Sequence, residues 1–224
     1  MSVGTAPLPI VVLISGGGTN LQAILDACAE RRVHARVQAV IANRPAAGGL
    51  ERARRAGVPA QVVDHTEYSD RAAFDRALAA AIDAHRPGLV VLAGFMRILG
   101  DEFVAHYEGR MMNIHPSLLP LYRGLDTHRR AIADGQREHG ASVHFVTREL
   151  DGGPVILQAR VPVLSDDTPT SLAARVLEQE HRIYPQAIDW FARGRLRLED
   201  GRVFLDDRPL NAAAPTDPGV EPAG

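Results

Sequence analysis

The sequence predicts an α/β fold: a Rossmann-like open sheet, mostly parallel with antiparallel C-terminal strands, and helices on both faces. Three observations predict it. Short runs rich in Val and Ile alternate with segments of helical spacing from Ile10 to Ile114, the pattern of a parallel sheet built by right-handed crossovers. The first run opens onto Gly16-Gly17-Gly18 ahead of a helix, a strand–turn–helix that can seat a phosphate. Beyond Gly140 two apolar runs follow one another with only a short link, so they are expected to pair antiparallel.

Ile10 to Ser15 reads as a strand covered on both faces. Leu21 to Ala29 has helical spacing, with Thr19 and Gln22 forming an expected capping box at its start. Val37 to Ala42 is a second strand, and Leu50 to Ala56 a short helix that Gly57 closes in a left-handed cap. Ala60 to Val63 is a third strand. The Ala-rich helix Arg71 to His85 stops before Pro87. Leu89 to Ala93 and Met111 to Ile114 complete the parallel set. Ser142 to Val146 and Val155 to Val163 are the antiparallel candidates, followed by a long helix, Ser171 to Arg193, that Pro185 is expected to kink. Asp200-Gly201 between Leu196–Leu198 and Val203–Leu205 is a two-residue hairpin signal. Residues 1–9 read as a flexible leader. The stretch 211–224, rich in Ala, Pro and Gly, reads as a disordered tail. Residues 10–210 then form a single domain.

Bulk properties narrow the function classes. With 224 residues the chain can bury a substantial core. A formal charge of −2 offers neither a nucleic-acid surface nor a basic membrane-binding face. A phosphorylated small molecule must therefore be held by local geometry. The single cysteine, Cys28, excludes an intramolecular disulfide and fits a reducing, cytoplasmic setting. Its place on the apolar side of a helix makes it a small buried hydrophobe. The apolar run Leu8 to Ile14 is too short to span a bilayer and ends in glycines rather than a cleavage site. Monomer and weak homodimer both fit the sequence.

Three segments carry chemistry. In Ser15-Gly16-Gly17-Gly18-Thr19-Asn20 the glycines let backbone approach a ligand at a helix N-terminus. No Lys-Ser or Lys-Thr pair follows, and Leu21 stands where a dinucleotide fingerprint needs glycine. A tight turn with no ligand is the alternative. Asn113-Ile114-His115-Pro116 lies at a strand end, where parallel sheets bind ligands. Asn113 and His115 share a side of that strand, and an amide donor beside a protonated imidazole suits a reaction through a tetrahedral oxyanion. A purely structural histidine stays open. Asp151-Gly152-Gly153-Pro154 is an ordinary turn, or a carboxylate that orients His115; spacing does not show that the two meet.

Together, in this order and at these separations, the segments resemble the phosphoribosylglycinamide formyltransferase family. The resemblance runs from Ile10 to Leu210. It is strongest in Val90 to Leu99, Asn113 to Pro120, Gly140 to Val146, Glu149 to Gln158 and Gln179 to Pro185. It implies that Gly18, Thr19 and Asn20 bind the phosphate of glycinamide ribonucleotide and that Glu180 holds its ribose or amide end. It implies further that Arg71, Met96, Arg97, Ile98, Leu99 and Asn113 face the folate, and that Asn113, His115 and Asp151 are catalytic. The N-terminal half would bind nucleotide, and the C-terminal half would bind folate and carry the catalysis. The co-substrate would be 10-formyltetrahydrofolate, with no metal and no covalent enzyme intermediate. The partners would be these small molecules alone.

Without the resemblance, Met96 and Leu99 read as core and Glu180 as part of a solvated face. His144 then reads as a satisfied core histidine, and it is left outside the catalytic trio, as is His128. His181 reads as structural. The chain departs from the family pattern at Thr19, where Ser is more usual, at Leu121, where Lys is common, and at Asp126, where His is usual. These changes bear on affinity and pH profile. Formyltetrahydrofolate hydrolases share the catalytic fold but carry an N-terminal regulatory domain, for which the nine residues ahead of Ile10 leave no length. Methionyl-transfer-RNA formyltransferases carry a C-terminal domain and need a basic surface. A nucleotide-binding module without catalysis would explain the glycine loop but not Asn113, His115 and Asp151.

Overall fold

The alternation of apolar runs and helices closes into one seven-stranded sheet, described here by a computed structural model over residues 6–210. In chain order the elements begin β1 (Leu8–Ile14), α1 (Thr19–Ala29), β2 (Ala35–Ala42), α2 (Gly49–Arg55), β3 (Ala60–Val62) and α3 (Arg71–Asp83). They continue β4 (Leu89–Leu92), α4 (Asp101–His106), β5 (Met111–His115), α5 (Thr127–Ala133), β6 (Glu138–Phe145), β7 (Val155–Pro162) and α6 (Pro169–Ala192). The last three, β8 (Leu196–Glu199), β9 (Arg202–Leu205) and β10 (Arg208–Pro209), form a small antiparallel sheet. The main sheet runs β3-β2-β1-β4-β5-β6-β7. Its first five strands are parallel, and β5–β6 and β6–β7 are antiparallel.

The two-residue period of β1 explains why helices cover both faces. Ile10, Val12 and Ile14 join one buried cluster with α1 and α6, while Val11 and Leu13 join another with Phe74, Leu78 and Ile82 of α3. Between the clusters lies a strand with no exposed face, so it reads as a continuous apolar run.

Several expected boundaries move. β1 begins at Leu8, so Leu8 and Pro9 belong to the strand and not to a leader; Leu8 N–H bonds to the His34 carbonyl and the strand registers with Ala35. The rest of the expected leader, residues 1–5, and the expected tail, residues 211–224, lie outside the described residues. No capping box forms at α1. Thr19 is already helical, and the residue before it, Gly18, takes the cap position in a left-handed conformation with no side chain to offer. The helices α4 and α5, six and seven residues long, escape a reading by periodicity because so short a segment shows no amphipathic period. α6 stays helical through Pro185 within its 24 residues, the missing N–H being tolerated in a helix held on the core by Leu172, Val176, Ile183 and Ile188. The hairpin signal at Asp200-Gly201 holds: both residues adopt positive φ, 48° and 74°, as a tight primed turn requires.

α6 also ties the sheet together where it matters for the site. The fully buried Tyr184 hydroxyl reaches the carbonyls of Leu92, at 2.9 Å, and Met112, at 3.0 Å, near the carboxyl ends of β4 and β5. Tyr184→Phe leaves buried carbonyls short of a donor, so it is expected to cost about 1–3 kcal/mol. A urea midpoint unchanged from wild type would show that water replaces the hydroxyl there.

Candidate active site

The site forms where the sheet changes from parallel to antiparallel. β5 pairs antiparallel with β6 so that Asn113 lies opposite His144 and His115 opposite Ser142. His144 Nδ1 faces the Phe145 carbonyl at 2.9 Å. It must therefore carry the proton, leaving Nε2 as an acceptor for the Asn113 amide at 3.2 Å. Burial holds the His144 pKa well below its ordinary value, so the ring is neutral and its tautomer is set. A neutral Nε2 acceptor in turn fixes which end of the Asn113 amide points at it.

His115 is 6% exposed, with an acceptor at each nitrogen. Nε2 donates to the Tyr122 carbonyl at 2.9 Å, and Nδ1 faces Asp151 Oδ2 at 3.4 Å. The same Asp151 oxygen accepts the Gly124 N–H at 2.9 Å, and Oδ1 lies 3.8 Å from His144 Nε2. An imidazolium at His115 thus has a partner for each N–H. The turn that delivers Asp151 depends on its neighbours: Asp151 itself sits at φ 47°, and a Cβ on Gly153 would fall 1.8 Å from the Phe145 carbonyl. Only glycine fits at Gly153.

A buried polar lattice pins the loop after His115. The Ser142 hydroxyl donates to the Ser117 carbonyl at 2.6 Å and accepts the Leu119 N–H at 3.0 Å. Gln158 Nε2 donates to the Leu119 carbonyl at 2.9 Å, and Thr127 Oγ1 donates to the Pro116 carbonyl at 2.7 Å. Asp126 pairs with Arg129 at 2.5 Å, and Leu121 is half exposed.

The glycine loop lies along the same carboxyl edge. Gly18 is left-handed at φ 72°, and a Cβ there would meet the Gly49 Cα at 2.7 Å, so α2 begins in direct backbone contact with the loop. Gly16 and Gly17 have open space around them. With no side-chain cap on α1, its first-turn N–H groups are left for an anion. Asn20 donates to Glu180 at 2.6 Å, and both are 8% exposed. Burial raises the Glu180 pKa and the Asn20 bond opposes the rise. The reading of Glu180 as a solvated residue is thereby overturned.

Met96, Arg97, Ile98 and Leu99 follow β4 in a loop held at both ends. Met96 N–H donates to Ser15 Oγ, and Gly100 N–H to Asp75 Oδ2, each at 2.7 Å. Met96 and Ile98 are 65% and 60% exposed, so Met96 is not core; Leu99 does pack against the core at its edge. Met96 and Ile98 are thus two exposed apolar side chains on one loop tethered at both ends. Arg71, the first residue of α3, and Arg97 both lie within electrostatic reach of the buried Asp75. Among the described residues, no group of His, Cys, Asp and Glu is arranged to hold a metal ion, and no helix is long and apolar enough to cross a membrane.

Residues 8–188 match the family described as formyl transferase. This chain belongs to the formyl transferase family. Over 201 residues it is 56% identical to phosphoribosylglycinamide formyltransferase of Escherichia coli strain K12, covering 90% of this chain and 95% of that protein. The solved structure of phosphoribosylglycinamide formyltransferase from Coxiella burnetii superposes with a TM-score of 0.89 at 53% identity, covering 93% of this chain and 98% of that one. Glycinamide ribonucleotide transformylase 1 from Symbiobacterium toebii gives 0.88 at 51% identity, with 92% and 97% covered.

In this formyl transferase the structure brings Asn113, His115 and Asp151 together, and places Asn20 against Glu180. His144 is the residue that sequence reasoning passes over. It is a satisfied core histidine as expected, and it also holds Asn113. Its signal is present only as strand register, which sequence alone does not supply. His128 and His139 sit behind the same loop with ring centroids 5.1 Å apart. Burial, and then the charge of His128, lowers the His139 pKa from 6.5 to about 4, against the pull of the Pro116 carbonyl. The unfolded chain binds a proton on this residue near 6.5 and the folded chain only near 4, so protons favour unfolding in that window. The contribution of neutral His139 is complete above about pH 6.5 and is lost as pH falls toward 4. Urea midpoints measured from pH 7 to pH 5 are expected to fall more steeply for wild type than for His139→Gln. Parallel curves would remove His139 from the acid limb.

Proposed function

We propose that this chain transfers the formyl group of 10-formyltetrahydrofolate to the amine of glycinamide ribonucleotide, a step of purine biosynthesis. The observation that carries this reading is the placement of Asp151 against His115 beside Asn113, on the sheet edge that also presents the uncapped glycine loop. The names of the relatives that cover nearly the whole chain support the same acceptor and the same transferred group.

Residues Gly18, Thr19 and Asn20 take the phosphate through the first turn of α1, and Glu180 takes the ribose or amide end. Arg71 and Arg97 supply cations for the carboxylates of the folate, while Met96, Ile98 and Leu99 cover its ring. The amine attacks the formyl carbon, and the carbonyl electron pair moves onto oxygen. Asn113 donates an N–H to that oxyanion. His115 Nε2–H exchanges the Tyr122 carbonyl for the same oxygen, while Asp151 holds the ring from Nδ1. When the tetrahedral intermediate collapses, the carbon–N10 bond breaks. The proton lost by the attacking amine ends on N10, so the products are the formamide and tetrahydrofolate. Every step stays within residues 10–210, which we read as one formyltransferase domain working in the cytoplasm on small molecules.

The test follows folate deformylation by absorbance with and without glycinamide ribonucleotide, for wild type and Asp151→Asn. Turnover is expected to require the amine, and kcat to fall by about 10²–10⁴ in the variant, the range for a lost acid–base partner. Equal turnover without the amine would make the protein a hydrolase. Full activity in the variant would remove Asp151 from the mechanism.

A further inference from the structure

We propose that Arg52 binds the phosphate of the nucleotide acceptor, supplying the side-chain cation that the glycine loop itself lacks. The proposal rests on the acceptor assigned above and adds a residue to its phosphate site.

Arg52 lies on α2, which starts against the glycine loop. Its Nε donates to the Gly17 carbonyl at 2.7 Å, and Nη1 donates to Gln22 Oε1 at 3.2 Å. Both acceptors are neutral. A guanidinium has five N–H donors, so two of them position the fork and three remain for a ligand. Its neighbours on the same helix differ. Arg54 and Arg55 pair with Glu51 at 3.6 Å and 3.0 Å, whereas among the described residues no carboxylate lies within 4.0 Å of the Arg52 guanidinium. The two acids that share its recess are already engaged: Asp26 accepts from Gln22, and Glu30 pairs with Arg32 at 2.6 Å. The stem of Arg52 runs beside the loop, its Cδ 3.5 Å from where a Gly18 Cβ would stand.

That recess, about 400 Å³ in volume, is lined by Thr19, Gln22, Arg52 and His181, with Asp26 and the Glu30–Arg32 pair also in its wall. His181 Nε2 is buried there with no hydrogen-bond partner. A pre-oriented guanidinium with no carboxylate partner, beside uncapped helix N–H groups, forms an anion site with two kinds of donor, and burial together with the Arg52 charge keeps the neighbouring His181 neutral. A helix end carries only about half a charge, while a phosphomonoester carries about −1.5 to −2. The arginine fork supplies the balance and the bidentate geometry that a lysine cannot.

Steady-state kinetics test this with two acceptors, glycinamide ribonucleotide and its dephosphorylated riboside. For Arg52→Gln, KM for the ribonucleotide is expected to rise about 10- to 100-fold, the loss typical of a charged hydrogen-bonding partner. The KM for formyl-folate should stay put, and the penalty should vanish with the riboside. Arg52→Lys should recover part of the loss. Unchanged KM for the ribonucleotide, or an equal loss with both acceptors, would overturn the proposal; the second result would leave Arg52 only a clasp on the Gly17 carbonyl. Ribose 5-phosphate provides an independent reading through the melting temperature: it should stabilise wild type and not Arg52→Gln. If wild type failed to turn over with the ribonucleotide yet ribose 5-phosphate still protected wild type alone, the acceptor assignment would fail and the phosphate site would stand. Protection of both proteins alike would sink the role of Arg52.

Discussion

The antiparallel register between β5 and β6 is the constraint on which the rest of the site depends. It sets Asn113 across from His144 and His115 across from Ser142, so one strand carries the reactive groups and the other carries what holds them. A slip of one residue would turn every one of these side chains to the opposite face. The tautomer of His144 is settled by its own strand, through the Phe145 carbonyl, and the orientation of Asn113 follows from that tautomer. Ser142 does the same for the backbone, anchoring the loop that bends back to offer the Tyr122 carbonyl to His115. The active-site groups are thus preorganised by groups that themselves have no freedom left.

Close backbone approach brings in the remaining parts. Gly153 lets the Asp151 turn lie against the end of β6, and Gly18 lets α2 lie against the glycine loop. α6 then joins the two ends of the site. Its Tyr184 bridges the carbonyls of β4 and β5, and one turn earlier its Glu180 holds Asn20. The glycine-loop end and the Asn113–His115 end are therefore both tied to one helix, and a shift in α6 would be felt at both.

Much of this is legible in the sequence, and the exceptions have physical causes. The buried strands of the parallel sheet read clearly because short, continuous Val and Ile runs bounded by turn residues suit a strand covered on both faces. The Asp200-Gly201 hairpin reads clearly because its turn needs positive φ. The antiparallel pairing of β6 with β7 is visible in the short link after Phe145, whereas that of β5 with β6 is hidden by the long connection through α5. Glu180 is misjudged from local composition because its burial comes with Asn20, 160 residues away. Met96 is misjudged because an apolar residue on an exposed loop looks, in sequence, like one buried in a core. The capping box fails for a related reason: Gly18, placed by its contact with Gly49, takes the cap position first. The meeting of Asp151 with His115 is implied by the family resemblance alone. Local pattern cannot reach it, because α5, β6 and the loops around them separate the residues along the chain.

Nitrogen-detected NMR of the histidine side chains tests the central claim most directly. The register account predicts that His144 shows a neutral ring protonated at Nδ1 at pH 7 and does not titrate through the usual histidine range, with Asn113→Ala perturbing its Nε2 signal. A His144 that titrates near its ordinary value, or one protonated at Nε2, would mean that the ring does not accept from Asn113, and the account of how this site is held in place would be wrong.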